Sequence, residues 1–173
     1  MTTATTADRY DWAGMVCGCG QPATHVPELL IRLATEGEAS GITRDSFEGH
    51  LHIPSHTYAP APAAISVALA ALADPDTPGA ARDVLVDLVF TTAFVDCIGH
   101  GVPEGVDLEE ECRRAVTPGL EALYAEIASG RSAATASRAF WIAEGTDEDA
   151  SRVERVRREA RHLLWDACQT PWE

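Results

Sequence analysis

Apolar residues recur at intervals of three and four positions along most of the chain, which is the period of a helix buried on one side. No segment shows the apolar–polar alternation of a half-buried strand bounded by hairpin turns. Pro, Gly and short polar stretches divide the pattern and predict about seven helices, over 22–35, 43–53, 57–73, 78–99, 107–129, 132–143 and 147–168. Residues 1–20 are expected to form an irregular N-terminal segment.

Residue types at the predicted helix ends agree with these boundaries. Asp107 and Ser132 are good N-caps, because their side-chain oxygens can accept a hydrogen bond from an unpaired N–H of the first helical turn. Pro118 interrupts the apolar series within 107–129, and proline cannot donate to the helix hydrogen-bond ladder. We therefore expect a kink or a break near Thr117.

Helices of about 10 to 22 residues with short connections are expected to pack as antiparallel neighbours. Successive helix pairs span about 40 residues, the size of a HEAT or armadillo unit. With 173 residues, the chain predicts one domain over 1–173. We predict an all-α domain arranged as a small HEAT-like α-solenoid, with an irregular helical bundle as the alternative. A sheet of three or more strands is not expected, and finding one would end the solenoid interpretation.

Three segments carry a family resemblance: CGCGQPATHVPELLIRLA, HLHIPSHTYAPAPAAISVALAALAD and ECRRAVTPGLEALYAEI. Together they resemble the HEAT-like repeat proteins of actinomycetes, in which a Cys/Gly-rich segment precedes a VPELL helix and a loop with His and Tyr leads into an Ala-rich helix. The resemblance spans residues 12–143 and implies a right-handed α-solenoid with a concave face, used in some members for immunity or interaction. Where that family often has a compact His-Gln-Gly loop, this chain has His52-Ile53-Pro54-Ser55-His56.

The charge balance excludes two classes of partner. The chain has 27 acidic and 13 basic side chains, a formal net charge of −14, and every basic residue is Arg. A basic face for a nucleic-acid backbone or an anionic membrane is therefore not expected, and no apolar run approaches the length of a membrane span. A basic protein or a small molecule remains a compatible partner. The absence of Lys also removes Schiff-base chemistry and a phosphate-loop lysine.

Cys17-Gly18-Cys19, followed by His25, is the first candidate for chemistry. Two thiolates can bind a soft metal, but closed zinc sites usually place paired Cys in a C-x₂₋₄-C spacing, and a second ligand pair at a matching spacing is missing. We interpret the segment as a glycine-shaped turn with packed Cys side chains, and we expect no metal and no cofactor. The five Cys are scattered and the N-terminus lacks an apolar signal segment, which predicts reduced thiols and a cytoplasmic location.

Half of the six histidines fall between positions 50 and 56, followed by a tyrosine: His50, His52, His56 and Tyr58. This run is either a loop that packs against helix ends or a binding site, and packing is the favoured interpretation although loops often carry function. Asp96 and His100 lie four residues apart at the end of a predicted helix, where the carboxylate can raise the basicity of the imidazole. A structural role for His100 at the negative end of the helix dipole is again favoured.

Two functions remain open. The first is an acidic protein-binding module, such as an immunity or adaptor protein that covers a basic partner. Its binding residues would be two histidines and the densest acidic clusters: His50, His52, Glu109, Glu110, Glu111, Asp147, Glu148 and Asp149. The alternative is a cofactor-independent enzyme of specialised metabolism with acid–base groups in the concave groove: His56, Tyr58, Asp96 and His100. An enzyme needs a closed pocket on which these groups converge, whereas a binder needs a broad acidic face.

Overall fold

The computed structural model describes residues 2–54, 56–93 and 98–170. Its α-helices are α1 (Thr3–Ala7), α2 (His25–Glu36), α3 (Ala61–Leu72), α4 (Gly79–Ala93), α5 (Leu108–Val116), α6 (Leu120–Ser129), α7 (Ala133–Thr146) and α8 (Ala150–Glu159). Short 3₁₀ turns lie between or after them at Gly37–Ser40, Arg44–Ser46, Thr117–Gly119, Arg161–Leu163 and Asp166–Cys168. The mainly helical character that the apolar pattern predicted is confirmed.

A small three-stranded sheet accompanies the helices. It consists of β1 (His52–Ile53), β2 (His56–Tyr58) and β3 (Ile98–His100), in the order β1-β2-β3. β1 is antiparallel to β2, and β2 is parallel to β3. The prediction that no sheet of three or more strands forms is therefore wrong. Strands of two or three residues complete at most one period of the apolar–polar alternation, so the sequence carries no pattern that reveals them.

The helix predicted over 43–53 is also wrong. The segment forms one 3₁₀ turn at Arg44–Ser46 and then turns into β1. Gly49 has a φ angle of +77°, which glycine adopts without the steric cost that other residues incur, and this ends any helix there. The segment 1–20, expected to be irregular, contains the short helix α1.

The break predicted near Thr117 is confirmed. α5 ends at Val116, the 3₁₀ turn Thr117–Gly119 follows, and α6 begins at Leu120. Asp107 and Ser132 are the N-caps of α5 and α7, and each side chain accepts a hydrogen bond from a backbone N–H in the first turn. The two halves of the predicted 107–129 helix thus become separate elements because proline interrupts the ladder.

Helix α3 forms the centre of the hydrophobic core. It packs against α1, α2, α4, α5 and α6, while α7 packs against α4 and α6. Most of its residues are buried, and many are Ala, which lets neighbouring helices approach closely. Each unit of a solenoid contacts only its neighbours along the chain, so this central helix does not reproduce a solenoid's packing pattern.

Buried ion pairs connect α4 with α6 and α7 with α8. Glu126 of α6 is 2% exposed and its two carboxylate oxygens contact Arg82 of α4 and Arg131. Arg157 of α8 is buried in the same way and contacts Glu144 of α7. Across the part of the chain that the structure describes, no helix combines the length and the apolar character needed to cross a membrane.

Candidate metal centre

Four side chains of metal-binding types converge at the start of α2. Cys17, Cys19, His25 and His50 each offer one ligand atom, and all four atoms lie within 4.8 Å of one another. Sγ of Cys17 is 3.2 Å from Nδ1 of His50 and 3.5 Å from Nε2 of His25. The two imidazole nitrogens are 3.0 Å apart. Four ligands around a tetrahedral zinc ion stand about 3.3–3.8 Å from one another, so the cluster has close to the dimensions of such a site.

A tight turn holds the Cys pair. The N–H of Cys17 donates to the carbonyl oxygen of Gln21 at 2.9 Å, and the N–H of Gly20 donates back to the carbonyl oxygen of Cys17 at 2.8 Å. Gly20 has a φ angle of +79°, a left-handed conformation that suits glycine. The turn leaves Cys17 buried and places Cys19 in solvent, so the pair has one inner and one outer thiol.

Gly18 fixes the Cys turn onto the loop that carries His50. Its N–H donates to the carbonyl oxygen of His50 at 3.0 Å. A Cβ atom at position 18 would lie 2.5 Å from the carbonyl oxygen of Gly49 and 2.5 Å from the ring of Tyr58, closer than real Cβ atoms approach. Only glycine therefore allows the turn to lie this close to the loop and to the ring.

His25 is the first residue of α2, and its ring meets that of His50 edge-on with centroids 4.7 Å apart. Burial lowers the pKa of His50, and the neighbouring His25 lowers it further. The His50 imidazole is therefore held in its neutral, metal-binding form. Burial also raises the pKa of the Cys17 thiol. A bound divalent cation opposes this effect because it binds the thiolate.

The donor set selects among metals. Two thiolates and two imidazoles in a tetrahedral arrangement suit Zn²⁺, whereas Mg²⁺ and Ca²⁺ require oxygen ligands. Within 2–54, 56–93 and 98–170, no other group of three or more His, Cys, Asp or Glu side chains has this proximity. The cluster is therefore the strongest candidate for a metal centre in the described chain.

The expectation of no metal rested on the absence of a second ligand pair. In the structure, His25 and His50 form that pair although they are 25 positions apart in sequence. The C-x-C spacing does not predict that His50 takes part, because tertiary structure brings His50 to the Cys turn from a distant part of the sequence. The sequence did show three of the four residues as the motif Cys17-Gly18-Cys19 followed by His25, and only His50 lay outside it.

Three of the four candidate catalytic residues come together on the sheet. His56 and Tyr58 share a face of β2, and Tyr58 stands opposite His100 of β3. Ring centroids are 4.6 Å apart for His56 and His100 and 6.0 Å apart for Tyr58 and His100. His100 is exposed and the other two are half-buried, so the group forms a surface patch. Asp96 lies outside the described residues.

The sheet patch adjoins the cluster of Cys17, Cys19, His25 and His50 through Tyr58, whose ring lies against Gly18. The residue predicted as an acid–base group therefore supports the Cys turn. The clefts on the two sides of α1 are lined by other residues, among them Tyr10, Trp12 and Leu69. His56, Tyr58 and His100 line neither of these two clefts.

The candidate binding residue His52 lies in the interior. It is 9% exposed, and burial lowers its pKa. Its Nδ1 atom lacks a hydrogen-bond partner, as does the hydroxyl of Thr57, which stands opposite it across β1 and β2. A partner protein at the surface therefore has little access to His52.

The acidic cluster on α5 is engaged within its own helix. Glu109 contacts Arg113, and Glu110 and Glu111 both contact Arg114, at spacings of three and four residues. These spacings place the partners on one face of the helix. Arg113 and Arg114 balance much of the negative charge of this cluster, so less negative charge remains to attract a basic partner.

The second acidic cluster is built into the junction of α7 and α8. Asp147 accepts hydrogen bonds from the hydroxyl of Tyr124 at 2.5 Å and from Nε of Arg152 at 2.6 Å. The hydrogen bond from Arg152 lowers the pKa of Asp147 to about 2. Burial and this carboxylate raise the pKa of Tyr124 well above its usual range. Asp149 is the N-cap of α8, and Glu148 between them is exposed.

Comparison of the chain with protein-family models, with curated proteins and with solved structures finds no match in any of the three. The HEAT-like resemblance therefore stays a prediction.

Proposed function

We propose that the protein is a zinc-binding helical protein, with Zn²⁺ held by Cys17, Cys19, His25 and His50. The observation that carries this proposal is the convergence of four soft or borderline ligand atoms within 4.8 Å. Four protein ligands complete a tetrahedral shell, as in zinc sites that serve structure, whereas catalytic sites keep one position for water or substrate.

In this proposal the zinc joins three segments that lie far apart in sequence. It fastens the Cys turn and the His50 loop to the first residue of α2. The adjoining sheet, with strands of two or three residues, is too small to be stable by itself. Zinc binding would therefore stabilise the N-terminal segment, the His50 loop and the sheet together, because binding energy at such a site is also folding energy.

The test is elemental analysis of the full chain purified without a His tag, after dialysis against buffer. We expect close to one equivalent of zinc, and a loss of most of it in Cys17→Ser and in His50→Ala. His162→Ala is the matched control, because His162 is exposed and far along the chain from the cluster. Well under one equivalent in the parent chain, with no rise in melting temperature on adding Zn²⁺, would overturn the proposal.

Protein binding through an acidic surface is the second candidate, and the net charge of −14 supports it. Exposed Glu148 is the residue of the acidic clusters best placed to face a basic partner. Salt screens exposed charges beyond about 8 Å at physiological ionic strength, so such binding should slow as salt rises.

The arrangement of the helices is that of an irregular bundle in this proposal, because the central position of α3 favours a bundle over the HEAT-like solenoid. Cys17, Cys19 and Cys168 form no disulfide bond in the structure, which suits the proposed cytoplasmic location.

A further inference from the structure

The described thiols differ in their access to solvent. Cys17, Cys112 and Cys168 are each 1% exposed, whereas Cys19 is exposed at the tip of the turn. Among the Cys residues that the structure describes, a small oxidant in solution therefore meets Cys19 first. Susceptibility to oxidation follows thiolate character and exposure, and a zinc-bound Cys is a thiolate.

A second thiol lies within reach of Cys19. Cys17 is one residue away across Gly18, and the ligand atoms of the cluster are all within 4.8 Å. A disulfide bond is about 2.05 Å long. A rotation of the Cys19 side chain that moves its sulfur by a few ångströms would bring the two sulfur atoms to this distance. Gly18 is packed against Gly49 and Tyr58, but the space where a Cβ of Gly20 would lie, next to Cys19, is open. The turn therefore gives Cys19 room to move toward the buried sulfur.

We propose that Cys19 is the peroxide-reactive site of the zinc centre, that Cys17 resolves it to a disulfide, and that the zinc is thereby released. This inference rests on the proposed zinc centre. It adds redox control of zinc binding: the zinc stays bound to the Cys turn only while both thiolates are reduced.

The electrons come from sulfur, because Zn²⁺ has no redox chemistry in proteins. The Cys19 thiolate attacks one oxygen of hydrogen peroxide, so that an S–O bond forms, the O–O bond breaks, and a sulfenic acid and hydroxide result. The Cys17 thiolate then attacks the Cys19 sulfur, forming the S–S bond and expelling a second hydroxide. Two solvent protons convert both hydroxides to water. His25 and His50 remain as ligands, too few for a structural zinc site, and the Zn²⁺ leaves for solvent.

The experiment treats the zinc-loaded full chain with hydrogen peroxide in the presence of a chromogenic zinc chelator. We expect one zinc released for each disulfide formed. Trypsin cleaves after Arg9 and Arg32, so the peptide 10–32 contains Cys17 and Cys19 and no other Cys. Its mass should fall by two hydrogens in step with the zinc release, and dithiothreitol with added zinc should restore the starting state.

Cys19→His is the decisive variant, because it keeps a nitrogen ligand for zinc and removes the reactive sulfur. Its zinc should leave at least about tenfold more slowly at the same peroxide dose. Cys168→Ser is the matched thiol control and should behave as the parent chain does, since Cys168 is buried away from the cluster.

Equal release rates for the parent and Cys19→His would overturn the inference and leave the zinc centre standing. If Cys19→His holds no zinc, the test rests on the parent chain. Release of zinc from the parent chain without a disulfide in peptide 10–32 would then overturn the inference. A parent chain that holds no zinc before treatment would overturn the zinc centre and the inference together.

Discussion

Nε2 of His25 and Nδ1 of His50 lie 3.0 Å apart, although the two residues are separated by 25 positions. His25 begins α2 and His50 belongs to the loop before β1, so this contact sets how the loop lies on the helix. Sγ of Cys17 is within 3.5 Å of both nitrogens. Three segments of the chain therefore meet at one point, and disturbing that point should loosen all three.

His50→Ala should weaken zinc binding by more than about 100-fold, since even the loss of an outer-shell partner of a metal site costs 10–100-fold. A competition titration with a chromogenic chelator measures this affinity. The melting temperature of the variant should then respond little to added Zn²⁺, because a ligand stabilises a fold only as far as it binds it. His162→Ala should bind zinc as the parent chain does. Equal affinities for the two variants would remove His50 from the ligand set.

Gly18→Ala should destabilise the protein by about 1–3 kcal/mol, the usual cost of forcing atoms into a packed site. Its Cβ would lie 2.5 Å from both the Gly49 carbonyl oxygen and the Tyr58 ring. Gly79→Ala is the matched control, because that Cβ would meet nothing closer than 3.9 Å and would sit on a helix. It should be neutral or stabilising by up to about 1 kcal/mol. Chemical denaturation measures both free energies, and equal effects would show that the Cys turn is loosely packed.

The long helices could be predicted from the sequence because a 3.6-residue period repeats several times within each of them. The segments 57–73 and 78–99 contain α3 and α4, although α3 begins four residues later than predicted and Ile98 and Gly99 belong to β3. The sheet could not be predicted in this way, since its strands end before any alternation can repeat. At 43–53 the polar and apolar spacing resembles a helix, yet turns form there around Gly49.

The candidate site was predictable in parts. The run of histidines drew attention to His50 and His56, but the sequence contains no measure of which of them faces the Cys turn. Loop closure decides this, and it depends on contacts between residues far apart in sequence, such as Gly18 with Gly49. The ion pairs between the acidic and basic residues of α5 could be predicted from the sequence, because Glu109 and Arg113 stand four residues apart on a predicted helix.

Glu126→Ala should lower the free energy of unfolding by about 3–5 kcal/mol, because it leaves Arg82 without its carboxylate in the interior. The side chain of Glu126 is 1% exposed and also contacts Arg131. Glu121→Ala on the same helix is the matched control, since its side chain is 84% exposed, and it should change stability by no more than about 0.5 kcal/mol. Urea denaturation of both variants tests this. A similar, small loss in both would mean that water reaches the buried pair.

Asp147 should make part of the protein's stability depend on pH. Its hydrogen bond from Arg152 holds its pKa at about 2, below the 3.8 of an unperturbed carboxyl. The unfolded chain therefore binds a proton in this range more readily than the folded chain does. The stabilisation by Asp147 is complete above pH 3.8 and is lost as the pH falls through this window to about 2.

Asp147→Asn separates this effect from the loss of zinc, because acid protonates the metal ligands of both proteins alike. Asn keeps an acceptor for the Tyr124 hydroxyl but loses the charge that attracts Arg152. The variant should therefore be less stable than the parent chain at pH 7, and the difference should shrink as the pH approaches 2. Denaturant midpoints of the two proteins, taken in steps from neutral to acid pH, measure it. A difference that stays constant down to pH 2 would show that the Asp147 charge contributes nothing, and that packing at the α7–α8 junction alone explains the cost.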